Sequence, residues 1–419
     1  MAEKYIEIKY GSGEISIKSN KNMRILENNR ESSMPDLHKI AKKRFENPIC
    51  SPTLSRIVHE ENPKNIVIII NDITRPTPYD LLLEPMLKEL EAAGVKKRNI
   101  TILIATGMHR PMADGEITDM LGSKIAGEYK IVNHLAGGRM TYIGHLAYGI
   151  PISINPLVAK ADLLLSVGVI APHYMAGYSG GRKSVLPGVC GIETIKKHHA
   201  LMCLKGSRTL NIEGNPFNET MVEAASYAKL RFIANAVADS GGNIADIVTG
   251  HYLYAWREGV KICETLSTVE IDRLGDLAVV SPGGYPKDIN MYQAQKAIEN
   301  ASYCLKAGAP IILIAECREG FGNKTFKEWI DDAKCPEDIA DRIKKEFQLG
   351  GHKAYSIARV IMEHPIYLMS SLSHDSTNKL FMEKFHDVDK LLYELVDDQS
   401  IVYVLPHGSN TVPKMTNLK

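Results

Sequence analysis

The densest run of reactive side chains in this 419-residue sequence is GYSGGRKS, Gly177–Ser184. Glycines let backbone amides approach an anion, and a helix starting near Lys183 would add its positive end. That combination points to a phosphate-bearing ligand. The string is not a P-loop, because G-x-x-x-x-G-K-[ST] cannot be laid on it: Arg182 stands where the last glycine belongs. A flexible turn with a solvated Arg–Lys pair would read the same way.

Two histidines, His109 and His173, add acid–base chemistry, since imidazole titrates near neutral pH. Inverting a stereocentre needs proton handling on both faces of a planar intermediate, hence two such groups. Taken singly, a loop histidine is more often a hydrogen-bonded structural residue. His198 and His199 lie in a helix predicted over 193–204. Neighbours on a helix point about 100° apart, so one at most faces a cleft. That argues against a two-histidine zinc clamp, which wants i and i+4. A single neutral imidazole can still be one metal ligand among non-protein ligands, and a pair of partly exposed surface histidines is the plainer alternative. Arg75, near Asp72, can grip a carboxylate or phosphate with its two-pronged guanidinium, or simply form a salt bridge at a helix start. Gln293 and Lys296 sit three apart on one predicted helix face, within reach of a substrate carboxylate or merely solvated.

For these groups to act together, the chain must bring their loops to one place. Residues 65–70 (NIVIII), 99–105 (NITILIA) and 162–169 (DLLLSVGV) are continuous apolar runs that read as buried parallel strands, with a leucine-spaced helix at 79–93 between them. Residues 4–18 alternate around Gly11-Ser12-Gly13, a hairpin pattern. The fold class is α/β, in two domains. Each has a largely parallel or mixed sheet flanked by helices, with the active site expected in the interdomain cleft. The domains are placed at 1–275 and 276–419, the second opening with LAVVS (277–281), PIILIA (310–315) and helices to 349. A last strand near 401–405 can pair with either sheet. In open α/β sheets ligands bind beyond the carboxyl ends of the strands. The segments carrying Asp72 and Arg75, His109, and His173 and Lys183 each follow one of the three strands.

Composition narrows the classes. Hydrophobic residues make up 44% and charged residues 24%, with a formal charge of +1. That balance gives no electrostatic footprint for nucleic acid or an anionic membrane. No apolar run approaches the roughly 20 residues of a membrane span, and the N-terminus lacks a signal-peptide core. Seven cysteines without a C-x-x-C pair fit reduced thiols in a cytoplasmic protein.

Taken together, NDITRPTP (71–78), ATGMHRP (105–111), PHYMAGYSGGRKSVLPGV (172–189) and MYQAQKA (291–297) are far more specific than any one string. The chain resembles the nickel-dependent, nickel-pincer lactate racemase family over essentially its whole length. The resemblance implies a racemase or epimerase of 2-hydroxy acids. Its cofactor would be Ni(II)-pyridinium-3,5-bisthiocarboxylate mononucleotide, the nickel-pincer nucleotide, attached covalently through Lys183 and made by dedicated cofactor-synthesis proteins. By the same resemblance Asp72, Ile73, Thr74, Arg75, Ser179, Gly180 and Gly181 contact the cofactor, and His199 is the protein ligand to nickel. His198 is the alternative ligand if the helix register differs. His109 and His173 align with two catalytic histidines, and Arg75, Gln293 and Lys296 with substrate-binding positions. In the implied mechanism one histidine takes the hydroxyl proton while the C2 hydride moves to the pyridinium ring. The 2-keto acid rotates and the hydride returns to its other face. Two other functions stay open: a Schiff-base lyase using Lys183 with His173 as base, and a non-catalytic binder of a phosphorylated ligand.

Overall fold

The structure, a computed structural model, describes residues 4–27 and 36–416. Its chain forms two compact units, residues 31–266 and residues 1–30 with 267–419.

The first unit is built on a six-stranded sheet in the order 244–251, 230–238, 163–170, 66–71, 100–105, 130–133. All neighbours are parallel except Ile244–His251, which runs antiparallel to Leu230–Ala238. The apolar run Ile66–Ile70 is wholly buried at the centre, as a strand covered on both faces must be. Helix Tyr79–Ala92 covers it with Leu82, Leu83, Met86 and Leu90, spaced at three and four residues and each fully buried. Successive strands 66–71, 100–105 and 130–133 step one way, and strand 163–170 then lies on the opposite side of 66–71. The order therefore reverses beside residues 66–71, and the loops that open there are 72–78 and 171–180.

The second unit carries an all-parallel sheet in the order 383–384, 366–369, 311–314, 277–280, 402–405, 23–25. Strand Val402–Leu405 pairs here, beside Leu277–Val280. The expected boundaries differ in two ways. Residues 4–27, expected in the first domain, belong to this unit, because Met23–Ile25 pairs with Val402–Val404 and Ile6, Ile8 and Ile17 of the hairpin join its core. The unit also resumes at 267 rather than 276, because Thr268–Ile271 pairs with Val412–Met415. Among the described residues no helix is long and apolar enough to cross a membrane.

Candidate active site

Asp72 follows the central strand of the first unit and is buried. Its Oδ1 accepts from the Thr74 amide at 3.1 Å and the Thr74 hydroxyl at 2.5 Å, an Asx-type turn. Its Oδ2 lies 2.6 Å from His109 Nδ1. Burial works to raise the carboxyl, but the bonds from His109 and Thr74 outweigh it and hold it below the usual range. The charged oxygen therefore accepts a hydrogen bond from Nδ1–H, and the lone pair of a neutral His109 sits on Nε2. Ile73, Thr74 and Arg75 are exposed on the same turn.

His173 is held differently. The amides of Met175 and Ala176 reach its Nδ1 at 3.3 and 3.2 Å, so this nitrogen accepts and the proton is on Nε2. Burial first, then the charges of Lys183 and Arg75, push its basicity well down. Lys183 is half-buried in the turn Gly181–Ser184, and burial with the charges of Arg75 and Arg182 brings its amine down to about 7. Asp72 thus ties the first loop to the second, and the charge of Arg75 ties it to the third.

Two amides of the GYSGGRKS loop are engaged by the protein itself. The Ser179 amide donates to Ala171 O and the Gly181 amide to Asn235 Oδ1, each at 2.8 Å. The Ser179 hydroxyl donates to Val169 O at 2.8 Å and accepts from the Ala171 amide at 2.9 Å. Gly180 and Gly181 also serve close packing. A Cβ on Gly180 (φ +76°) would sit 2.6 Å from Ile170, and one on Gly181 (φ +51°) 3.1 Å from Trp256. Residues 181–184 form a single short 3-10 turn rather than the start of a helix.

Helix Ile192–Ala200 settles the two adjacent histidines into different environments. His198 is fully buried, with its ring 3.9 Å from that of Phe217 and Nε2 3.1 Å from Phe217 O. His199 is half-buried, and its Nδ1 donates to Ile195 O at 2.8 Å, which leaves the lone pair on Nε2. Burial brings it down to about 4, so the ring is a neutral donor at ordinary pH. Among the described residues no three His, Cys, Asp or Glu side chains gather as a metal site. A metal on His199 would need donors from outside the protein, which is the demand a sulfur-bearing pincer meets. In the second unit, Gln293 and Lys296 are exposed on one face of helix Met291–Ser302, whose N-cap is Asn290.

Sequence reasoning missed the residues behind the loop: Asn235, Asn218, Trp256 and the burial of Arg182. The one available signal was Trp256, one of only two tryptophans in the chain.

Comparison with known proteins places this arrangement. Residues 9–210 match the lactate racemase N-terminal domain and 271–412 the lactate racemase C-terminal domain. The lactate racemase of Thermoanaerobacterium thermosaccharolyticum is 34% identical over 385 residues, 89% of each chain. That of Lactiplantibacillus plantarum is 34% identical over 386 residues, 89% of this chain and 90% of that one. The lactate racemase apoprotein structure from the former organism has a TM-score of 0.85 at 31% identity, covering 98% of this chain and all of that one. A Thermotoga maritima protein at 20% identity and TM-score 0.60 covers 91% of this chain and 98% of its own, and shares the fold. The protein is an isomerase, a racemase built from two α/β units. It belongs to the lactate racemase family.

Proposed function

We propose that this chain inverts C2 of lactate or a related short 2-hydroxy acid in the cytoplasm, using a nickel-pincer nucleotide attached at Lys183. The observation that carries the reading is the pairing of an amine near neutrality with a neutral imidazole at His199 and two differently wired imidazoles at His109 and His173. Lys183 and His199 Nε2 would hold the cofactor, with Gly180, Gly181 and the 72–75 turn beside it. When bound, the group supplies a reversible acceptor for hydride, which no side chain here provides. His109 takes the proton of the C2 hydroxyl at Nε2, and Asp72 stabilises the resulting imidazolium. His173 presents Nε2–H to the C2 oxygen as a neutral donor. It moves a proton itself only when the 173–176 turn releases Nδ1. Arg75 serves the substrate carboxylate.

The test is to make the protein together with cofactor-synthesis enzymes and follow loss of optical activity across D- and L-2-hydroxy acids. The loaded protein should gain several hundred daltons and racemise lactate or a near relative, and Lys183→Ala should do neither. His199→Ala should lose nickel while His198→Ala keeps it. An adduct persisting in Lys183→Ala, or nickel lost only from His198→Ala, removes that residue assignment. An amine near neutrality also suits Schiff-base chemistry. Borohydride trapping of a keto acid on metal-free protein, without an adduct from loading, would favour that instead.

A further inference from the structure

Arg182 is 1% exposed, an unusual place for a charge. Its guanidinium gives away all five N–H groups. Nε and Nη2 donate to Asn218 Oδ1 at 2.9 and 2.7 Å, and Nη2 also to Ala176 O at 3.0 Å. Nη1 donates to the carbonyls of Ser179 and Gly180, both at 3.2 Å. One face lies 3.6 Å from the Trp256 ring, and the Trp256 Nε1–H is itself fixed to Ser179 O at 2.9 Å. Every one of these acceptors is a neutral amide oxygen. Amide oxygens replace lost water around a buried charge, but unlike a carboxylate they do not cancel it. The cage closes around the residue next to Lys183 in the chain.

We propose that Arg182 is a positioning residue for Lys183: its caged guanidinium keeps an uncancelled positive charge behind the lysine and so presents that amine as a nucleophile. A guanidinium suits this because it stays charged where a lysine would shed its proton. Asn218 is as important as the arginine, since an aspartate there would bind the same donors and remove the charge. The depression of the Lys183 amine, due first to burial and then to Arg75 and Arg182, agrees with the geometry. The proposal rests on the anchoring role of Lys183 for its purpose, but its chemistry is measurable on protein without cofactor.

The experiment is competitive acetylation of the apoprotein with acetic anhydride between pH 5 and 10, read at the Lys183 peptide by mass spectrometry. The amine attacks one carbonyl, acetate leaves, and the amine proton passes to solvent. In the native protein Lys183 should label with a midpoint near 7. Asn218→Asp, nearly the same size, should raise the midpoint by about one unit, cutting labelling at pH 7 by about fivefold and regaining it by pH 9. Arg182→Lys, which would shed its proton in the buried cage, and Arg182→Gln, which keeps donors and no charge, should both move the midpoint up in the same sense as Asn218→Asp. An Asn218→Asp protein with native circular dichroism and an unchanged labelling profile overturns the proposal. So does an Arg182→Gln protein whose profile matches the native one. Labelling as expected, with no adduct on cofactor loading, would instead leave this role standing and remove Lys183 as the anchor.

Discussion

Loops 106–111 and 172–176 follow strands that flank the same central strand, yet they wire their histidines in opposite senses. His109 leans on a charged carboxylate through Nδ1–H and stays partly open to solvent, with 41% of its side chain exposed. His173 has two backbone amides aimed at Nδ1 and sits among the charges of Lys183 and Arg75. Burial and the charges of Lys183 and Arg75 make a proton on the second ring costly to hold. A symmetric reaction is therefore served by an asymmetric site. On the proposed reading one imidazole would take a proton and the other offer a hydrogen bond, as neutral imidazoles do in other sites that polarise a carbonyl.

The largest effects should come from the rings themselves. His109→Ala and His173→Ala are each expected to lower turnover by roughly 10²–10⁴-fold, the scale of a positioned acid–base group. Glutamine separates the two, because it donates a hydrogen bond but takes no proton. His173→Gln should retain clearly more activity than His173→Ala, whereas His109→Gln should be no better than His109→Ala. Equal recovery at both positions in steady-state rates would erase the asymmetry.

Asp72→Asn comes next. It removes the charge that orients His109 and should cost roughly 10–100-fold, typical for loss of the partner that orients a working imidazole. Nitrogen chemical shifts of the two rings should show the tautomer of His109 disturbed and that of His173 unchanged. A disturbance confined to His173 would reverse the assignment. The smallest effect is expected on the loop side, at Ser179. With its hydroxyl spent on Val169 O and the Ala171 amide, Ser179→Ala should lower unfolding stability by about 1 kcal/mol and leave the cofactor adduct intact. Adduct lost from a protein of native stability would return Ser179 to the cofactor.

What could be read in advance follows the range of the interactions. Ile66–Ile70, the hairpin and the leucine helix are local apolar patterns, and the carboxyl-end rule then collects Asp72, His109 and Lys183 without further help. Met23–Ile25 was not legible, because a three-residue strand acquires its identity only by pairing with a segment far away in the chain. The burial of Arg182 was not legible, because its cage comes from Asn218, 36 residues on, and from Trp256. Sequence does not say whether a small residue makes room for a ligand or for a tryptophan, as Gly181 does beside Trp256. The Asp72–His109 pair stayed hidden for the same reason: both residues were singled out, but the contact between them is made by the sheet.

The central claim is that C2 is inverted by moving its hydrogen as hydride while the histidines handle only the oxygen. The C2 hydrogen of such an acid is very weakly acidic beside a carboxylate, and imidazoles with an unperturbed pKa of about 6.5 are poor bases for it. A proton lodged on imidazole exchanges rapidly with solvent, and a transferred hydride does not. Racemisation of a 2-hydroxy acid by loaded enzyme in D₂O, followed by NMR of both enantiomers, should therefore leave protium at C2, and a C2-deuterated substrate should react more slowly. Deuterium entering C2 at the rate of racemisation would contradict the account, returning His109 and His173 to a two-base role and leaving Lys183 with no redox group to hold.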